Sequence, residues 1–297
     1  MTAIGIVSPG AMGSAVGAAY ARAGTRALAT VAGRSRRTVA LAGEAGLELV
    51  RDLDAVVAAA DVVLSIVPPG EAMATAEAIA AAARRTGAAP LVADWNAISP
   101  PTARSIGEAL GEAALDFVDG SISGGPPRVG STTRVYLSGA RAEEIAAAAP
   151  AEIDARVVGS DIGLASAVKM CTAAMYKGST ALLAHSLLTA RANGVLEHVL
   201  DDLQNSFARE LDRAARSLAV SATKAERFVA EMREIAATQA AAGLTPAVFD
   251  GFAEAYTAIA SSAVGRETPE SIAAAPSLDD VLERLAPERA VDAGERT

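Results

Sequence analysis

A glycine-containing turn follows the first apolar run of the chain, residues 3–7, and reads Ser-Pro-Gly-Ala-Met-Gly. A dinucleotide-binding turn has the pattern Gly-x-Gly-x-x-Gly between a strand and a helix: its middle glycine lets the backbone approach a pyrophosphate, and its last lets helix and strand pack closely. Gly10 and Gly13 fill the second and third glycine positions, and Ser8 replaces the first. A plain strand-to-helix turn is the alternative. The position favours a pyrophosphate cradle made of Ser8, Pro9, Gly10, Ala11, Met12 and Gly13.

A basic loop follows the second predicted strand, residues 27–31, and reads Gly-Arg-Ser-Arg-Arg over positions 33–37. NAD enzymes usually place an acid here to hold the ribose hydroxyls. This chain has 35 acidic residues, yet none occurs before Glu44. An arginine can pair with a ribose 2′-phosphate, and Ser35 can donate to it while capping the next helix. A solvated basic loop is the alternative, but the pattern predicts NADPH rather than NADH, held by Arg34, Ser35 and Arg37.

Strands and helices alternate in the first half of the chain. Predicted strands lie at 3–7, 27–31, 62–67, 90–94, 117–119 and 133–138. Predicted helices lie between them at 14–23, 36–45 and 71–85. This alternation indicates βαβ units and a parallel sheet with right-handed crossovers.

Strand signals stop after residue 161. The remaining predicted helices are 162–194, 196–219, 222–242, 245–263 and 269–286, with a polar, frayed end over 288–297. The predicted fold class is an α/β Rossmann domain over residues 1–160, which binds NADP(H), followed by an all-α C-terminal domain over 161–297, which serves substrate binding and dimerisation.

Composition excludes several classes of function. The net charge of −9 argues against nucleic acid and anionic membranes as partners, because both attract clustered Lys and Arg. Cys171 is the single cysteine, so no internal disulfide can form, and we expect it to be buried as a small apolar residue. His185 and His198 have no metal-ligand spacing, so no metal site is expected. Without an 18-residue apolar run, we expect a cytoplasmic protein.

The chain resembles the β-hydroxyacid dehydrogenase superfamily, which includes 6-phosphogluconate dehydrogenase and the imine reductases. The resemblance covers nearly the full length, from the glycine turn and the Arg-Ser loop to the helix that opens the second domain. The run Asp-Gly-Ser-Ile-Ser-Gly-Gly-Pro-Pro over 119–127, and the run from Lys169 to Gly178, are similar to an uncharacterised 6-phosphogluconate-dehydrogenase-like subgroup.

The resemblance implies further binding residues. Val67 and Pro68 match the loop that contacts the nicotinamide half of the cofactor. Asn96 stands in a segment, 94–100, that matches the next cofactor contact, although a hydroxyl is usual there. Ser123, Gly124 and Gly125 match the loop that anchors substrate, where backbone N–H groups and a small hydroxyl can hold a carboxylate.

The resemblance also implies a catalytic lysine six residues after the last glycine of a turn, the spacing of Lys169 from Gly163. A lysine can take the proton of a substrate hydroxyl as hydride leaves, or return it in reduction. A solvated helix lysine is the alternative for Lys169. Tyr176 lies on the same helix face and is either a second catalytic residue or an ordinary residue of an amphipathic helix, while Lys177 either binds substrate or meets water.

Three residues depart from the family pattern. Ala173 stands where an asparagine is usual, Thr172 replaces the histidine of the sugar-phosphate enzyme, and Tyr176 replaces its glutamate. Decarboxylation is therefore not expected.

The sequence predicts an NADPH-dependent oxidoreductase that acts on a small hydroxy acid, oxo acid or related carbonyl compound. An imine reductase and a non-catalytic NADPH-binding protein are the alternatives. By analogy with the family we expect a homodimer.

Overall fold

The computed structural model describes residues 1–286 and divides into two compact units. The first comprises Met1–Thr172 with Ala240–Gly243, and the second comprises Ala173–Gln239 with the described residues from Leu244 onward. The predicted domain boundary near residue 160 coincides with the end of the last strand, whereas the first compact unit also includes the opening turns of the following helix. The tail predicted to fray, 288–297, lies outside the described residues.

One eight-stranded sheet forms the centre of the first unit. Its strands are β1 (Ala3–Val7), β2 (Arg26–Ala29), β3 (Glu48–Leu49), β4 (Val62–Ser65), β5 (Leu91–Asp94), β6 (Phe117–Ser123), β7 (Thr133–Ser138) and β8 (Ile153–Gly159). The spatial order is β3-β2-β1-β4-β5-β6-β7-β8, and every neighbouring pair is parallel except β6 with β7. The direction in which strands are added reverses between β1 and β4, and ligands of such sheets bind at the carboxyl ends beside that point.

Six helices of the first unit accompany the sheet: α1 (Ala11–Arg22), α2 (Arg36–Glu44), α3 (Leu53–Ala59), α4 (Ala72–Thr86), α5 (Pro100–Gly111) and α6 (Ala142–Ala147). Alternate residues of the central strands enter two apolar clusters. Leu64 of β4 belongs to one, and Val63 beside it belongs to the other. Successive side chains of a strand point to opposite faces, so the two clusters cover both faces of the sheet.

Helices are the regular secondary structure of the second unit, and its described residues include no β-strand. It contains α8 (Leu196–Ala222), α9 (Ala225–Ala241, shared with the first unit), α10 (Ala247–Ala260) and α11 (Leu278–Leu285), together with most of α7 (Leu164–Ala192), which begins in the first unit. Among residues 1–286, none of the helices meets the length and hydropathy that a membrane span requires.

The α/β class followed by helices is confirmed, with differences in detail. The last helix begins at Leu278 rather than at 269, and β6 extends to Ser123 rather than ending at 119. Five elements of the first unit are additional to those predicted: β3, α3, α5, α6 and β8.

Candidate functional site

The glycine turn joins β1 to α1 in a strained but well-packed conformation. Ser8 has φ +64°, in the left-handed region where glycine is usual, so the serine occupies a backbone conformation that favours the glycine it replaces in the pattern. The backbone N–H of Gly10 donates to the Ser8 carbonyl at 2.8 Å, which closes the turn.

Gly13 and Gly10 are required for different reasons. A Cβ on Gly13 would lie 2.5 Å from the Ser8 carbonyl oxygen, so only glycine lets α1 approach the turn. A Cβ on Gly10 would meet no atom within 4 Å, so the space in front of this residue is open. Gly10 precedes α1 without a side-chain cap, and no acid occupies the first turn of the helix. The helix start therefore offers unpaired N–H groups and a positive dipole end that suit a phosphate.

The basic loop lies between β2 and α2. Ser35 caps α2, as predicted, by accepting from the N–H of Thr38 at 3.3 Å. The side chains of Arg34, Ser35 and Arg37 are exposed, and the first turn of α2 contains no acid. The loop thus presents cationic groups beside a helix start, which favours an anion.

The carboxyl ends of β4 and β5 are joined by Asn96, which is 3% exposed. Its Oδ1 accepts from the N–H of Val67 at 2.6 Å, and its Nδ2 donates to Ser65 Oγ at 3.1 Å and Asp94 Oδ2 at 2.6 Å. Both amide hydrogens are therefore used inside the protein. Asn96 fixes the start of the loop that contains Val67 and the exposed Pro68.

Asp94 and Asp119 are buried carboxyl groups on adjacent strands, at paired positions of β5 and β6. Burial raises the pKa of Asp94 to about 7; the neighbouring charge of Asp119 adds to the rise, and hydrogen bonds from Asn96 oppose it. Burial also raises the pKa of Asp119, against hydrogen bonds from Ser166, Ser138 and Gly163.

Asp119 connects the sheet to the first turn of α7. Its Oδ2 accepts from the N–H groups of Gly163 and Ser166 at 3.0 and 3.1 Å, and its Oδ1 accepts from Ser166 Oγ at 2.6 Å. The sequence interpretation used Asp119 only as part of a family-like run. A lone acid inside an otherwise uncharged strand was the signal that could have identified it.

The loop that begins with Ser123 leaves the end of β6. Ser123 is half-buried, whereas Gly124 and Gly125 are exposed, and Gly124 has φ +128°. Thr133 Oγ1 donates to the Gly125 carbonyl at 2.7 Å and holds the loop against β7. The exposed backbone of this loop can offer N–H groups to an anion.

Lys169 lies in the part of α7 that belongs to the first unit and is half-buried. Its neighbour Met170 is fully buried. Lys169 therefore sits on an anchored helix start that Asp119 of β6 ties to the sheet. Tyr176 lies in the second unit, and its side chain is 74% exposed.

Lys177 is enclosed inside the second unit. Its ammonium forms an ion pair with the buried carboxylate of Glu231 and lies 4.4 Å from the centre of the Phe228 ring. The hydroxyl of Tyr256 donates to the Lys177 carbonyl at 2.8 Å. The charge of Lys177 is therefore compensated by a protein carboxylate, and its part in substrate binding stays a prediction.

Cys171 is exposed, so its predicted burial was wrong; it is the residue of α7 next to the buried Met170 and faces outward. Among residues 1–286 no group of histidine, cysteine and acidic residues could hold a metal ion.

The strand order and the glycine turn define a Rossmann-type dinucleotide-binding protein. The chain belongs to the β-hydroxyacid dehydrogenase superfamily, since residues 3–174, more than half of the sequence, match the NAD binding domain of 6-phosphogluconate dehydrogenase. Residues 190–259 match a domain of unknown function, DUF1932. The predicted resemblance is thereby confirmed. Membership of this family indicates that the protein binds a nicotinamide cofactor.

Individual relatives are distant. An uncharacterised 28.5 kDa protein of Methanothermus fervidus is 26% identical over 190 residues, 64% of this chain and 72% of that protein. A conserved hypothetical protein from Sinorhizobium meliloti has 26% identity and a TM-score of 0.67, over 96% of each chain.

Two enzymes of lower identity share the fold. A 3-hydroxyisobutyrate dehydrogenase from Mycobacterium tuberculosis, solved with L-serine, has 19% identity and a TM-score of 0.68 over 96% of this chain and 99% of that one. An imine reductase from Myxococcus stipitatus, solved with NADP⁺, has 17% identity and a TM-score of 0.56 over 87% and 93%.

Proposed function

We propose that this protein is an NADPH-dependent oxidoreductase that transfers hydride to or from a small hydroxy acid, oxo acid or related carbonyl compound, with Lys169 as acid and base. The observation that carries the proposal is that one compact unit combines an open glycine turn, an acid-free basic loop and a lysine on an anchored helix start.

The cofactor residues divide by the part of NADPH that they would hold. The backbone of the turn, from Ser8 to Gly13, fits the pyrophosphate, because Gly10 leaves open space before the uncapped start of α1. Arg34 and Arg37 supply charge for the 2′-phosphate, and the Ser35 hydroxyl can donate to it. The glycine turn and the basic loop thus each suit a phosphate-bearing part of NADPH.

Val67 and Pro68 follow β4 at the carboxyl edge of the sheet: Val67 is buried in an apolar cluster, and the exposed Pro68 lies where it can contact the nicotinamide half. We assign Asn96 an indirect part, because its amide hydrogens are used by Ser65 and Asp94. Its place in cofactor binding is to fix the N–H of Val67, and hence the course of this loop.

The substrate residues lie on β6 and α7. Ser123, Gly124 and Gly125 bind the substrate carboxylate with N–H groups and a hydroxyl. The chemistry that NADPH would supply, when bound, is hydride for the carbonyl carbon. The Lys169 ammonium donates a proton to the carbonyl oxygen, and the amine accepts that proton again in the reverse direction. Tyr176, exposed in the single chain, is a second proton donor only if another surface covers it.

The similar solved structures support hydride transfer as the class of reaction. The Mycobacterium tuberculosis enzyme is a hydroxyacid dehydrogenase solved with a hydroxyl-bearing amino acid, and the Myxococcus stipitatus enzyme is a reductase solved with NADP⁺. A variant of the latter is solved with NAD⁺, so the fold accepts both cofactors, and the basic loop of this chain is what favours NADPH.

Lys169→Arg tests the acid–base role, because arginine keeps the charge but does not release its proton near neutral pH. NADPH oxidation is followed with a panel of 2-oxo and 3-oxo acids. We expect kcat for the best substrate to fall by about 100-fold or more, which is typical for loss of a general acid. The Kd of NADPH, measured on the same sample, should stay unchanged. Full activity of the variant would refute the role of Lys169.

An imine reductase is the second candidate, because the fold of this chain is shared with one. Cyclic imines added to the same panel decide between the two. Turnover of imines without turnover of oxo acids would replace the proposal, whereas NADPH binding without turnover of any compound would indicate a non-catalytic NADPH-binding protein.

A further inference from the structure

The helix that carries Lys169 begins without a cap of its own. Gly163 precedes α7 and has no side chain, so the N–H groups of the first turn need acceptors from elsewhere. Asp119 Oδ2 accepts two of them, from Gly163 and Ser166, and Ser138 Oγ accepts a third, from Ala165 at 3.1 Å. Strands β6 and β7 therefore provide the cap that helices usually obtain from the preceding residue.

Asp119 is itself held in one orientation. Ser138 Oγ donates to its Oδ2 at 2.9 Å, and Ser166 Oγ donates to its Oδ1 at 2.6 Å. The residue is fully buried, so these four hydrogen bonds replace all contact with water. A carboxylate at a helix N-terminus also interacts favourably with the helix dipole. The first turn of α7 is thereby tied to the sheet by a carboxyl group that four hydrogen bonds orient.

Lys169 follows Ser166 by three positions, which places it one turn further along the same side of α7. Asp119 and Ser123 stand on the same strand, β6. One strand therefore determines the position of both the proposed substrate loop and the proposed acid–base lysine.

We propose that Asp119 is a positioning residue that holds Lys169 in register with the loop Ser123–Gly125 by capping α7. This inference rests on the proposed function, in which Lys169 is the acid–base group. Asp119 does not touch the reacting atoms; it determines where the lysine stands.

Asp119→Asn is the test. Asparagine keeps the shape of the side chain but replaces one acceptor oxygen with an N–H₂ donor, which cannot accept from the N–H groups of α7. Ser121→Ala is the matched control. Ser121 Oγ donates to the Ala165 carbonyl at 2.8 Å, so this substitution removes an uncharged hydrogen bond between the same strand and the same helix turn. We expect D119N to lower kcat by about tenfold or more while the KM and the Kd of NADPH change by less than about threefold. S121A should leave all three constants within about twofold.

A spectroscopic measurement needs no substrate. The sequence contains three lysines, Lys169, Lys177 and Lys224, so ¹³C-methylated lysine spectra are simple, and Lys169→Arg assigns the signal. In D119N, the Lys169 methyl signal should move or broaden, while the Lys224 signal stays in place. In S121A, both signals should keep their wild-type positions.

The outcomes separate the two proposals. An unchanged Lys169 signal and unchanged kcat in D119N would overturn the positioning role. A displaced signal in D119N together with a fully active K169R would uphold positioning and refute the acid–base role. If D119N does not fold, Ser166→Ala removes only the hydrogen bond to Oδ1, and the same shift of the Lys169 signal is expected at smaller amplitude; its absence there would also overturn the inference.

Discussion

Buried carboxyl groups at the carboxyl edge of the sheet give this protein an unusual titration at the scale of single residues. Asp94 is 1% exposed and stands beside Asp119 on the neighbouring strand. Its pKa rises to about 7 because burial penalises its charge and Asp119 repels it. In the unfolded chain an aspartate titrates at about pH 3.9. The folded state therefore keeps a proton that the unfolded state has already lost.

The raised pKa of Asp94 determines the direction in which folding stability depends on pH. Between about pH 4 and pH 7 the folded state binds more protons at Asp94, so this group's contribution to stability is lost as pH rises, by at most about 1.4 kcal/mol per pH unit. In urea unfolding experiments, we expect the free energy of unfolding of the wild type to decrease relative to that of Asp94→Asn as pH rises across this window.

Asp61→Asn is the control with the opposite sign. Hydrogen bonds from Thr2 lower the pKa of Asp61, so its contribution is present at neutral pH and is lost as pH falls below about 4. Parallel stability profiles of wild type and D94N from pH 4 to pH 8 would contradict the raised pKa of Asp94.

The sequence predicted a contact between residues close in the chain and missed contacts whose partners lie far along it. Ser35 as a helix cap follows from the residues next to it, and it caps α2. The bonds of Asp119 join positions 44 and 47 residues apart, and Lys177 pairs with Glu231 on a different helix. The exposure of Cys171 was missed because the apolar residues around it do not tell which side of α7 is packed.

Elements were predicted well where the hydrophobic period extended over several residues. β1 and β7 have the predicted bounds, and α7 to α10 lie within three residues of them. Missed elements were short, such as β3 with two residues, or lay where the run was mixed, as in β8 with its Asp154 and Arg156. The two missed strands, β3 and β8, are determined by their pairing with β2 and β7 rather than by local preference.

The turn between β1 and α1 makes a sharp prediction at this scale. Gly13→Ala places a Cβ against the Ser8 carbonyl and should destabilise the protein by roughly 1–3 kcal/mol. Gly10→Ala meets no atom, and Gly10 has φ −70°, so stability should change by less than about 0.5 kcal/mol. NADPH affinity of G10A should nevertheless fall by about tenfold or more, since its methyl group occupies the pyrophosphate approach.

Urea unfolding and NADPH titration of the two variants provide the check. Unchanged NADPH affinity in a stable G10A protein would show that the cofactor does not approach the turn.

At the scale of the whole molecule, the exposed apolar surface suggests self-association. Met175 and Leu182 of α7 are 69% and 62% exposed in the single chain. They stand seven positions apart, so they share one side of the helix. Such large apolar side chains on one helix side favour burial against a partner.

We expect a dimer, with twice the 29.8 kDa mass of one chain, in sedimentation equilibrium. Leu182→Glu should shift the protein toward monomer, because it places a charge in the buried interface. Val248→Glu, on α10 and 52% exposed, is the matched control and should remain dimeric. A monomeric wild type would contradict the dimer, and an equally dimeric L182E would place the interface elsewhere.

The central claim, NADPH recognition at the end of β2, is tested most directly by fluorescence titration of the purified protein with NADPH and NADH, repeated on Arg34→Ala and Arg36→Ala. Arg34 precedes α2 and Arg36 is its first residue, and each variant loses one exposed positive charge, so their comparison separates a specific contact from general charge. We predict micromolar NADPH binding, weaker NADH binding, and a loss of about tenfold or more, or about 1.4 kcal/mol, in R34A only. Equal binding of NADPH and NADH, or equal losses in R34A and R36A, would contradict the assignment of Arg34 to the 2′-phosphate, and binding of neither nucleotide would contradict the proposed function as a whole.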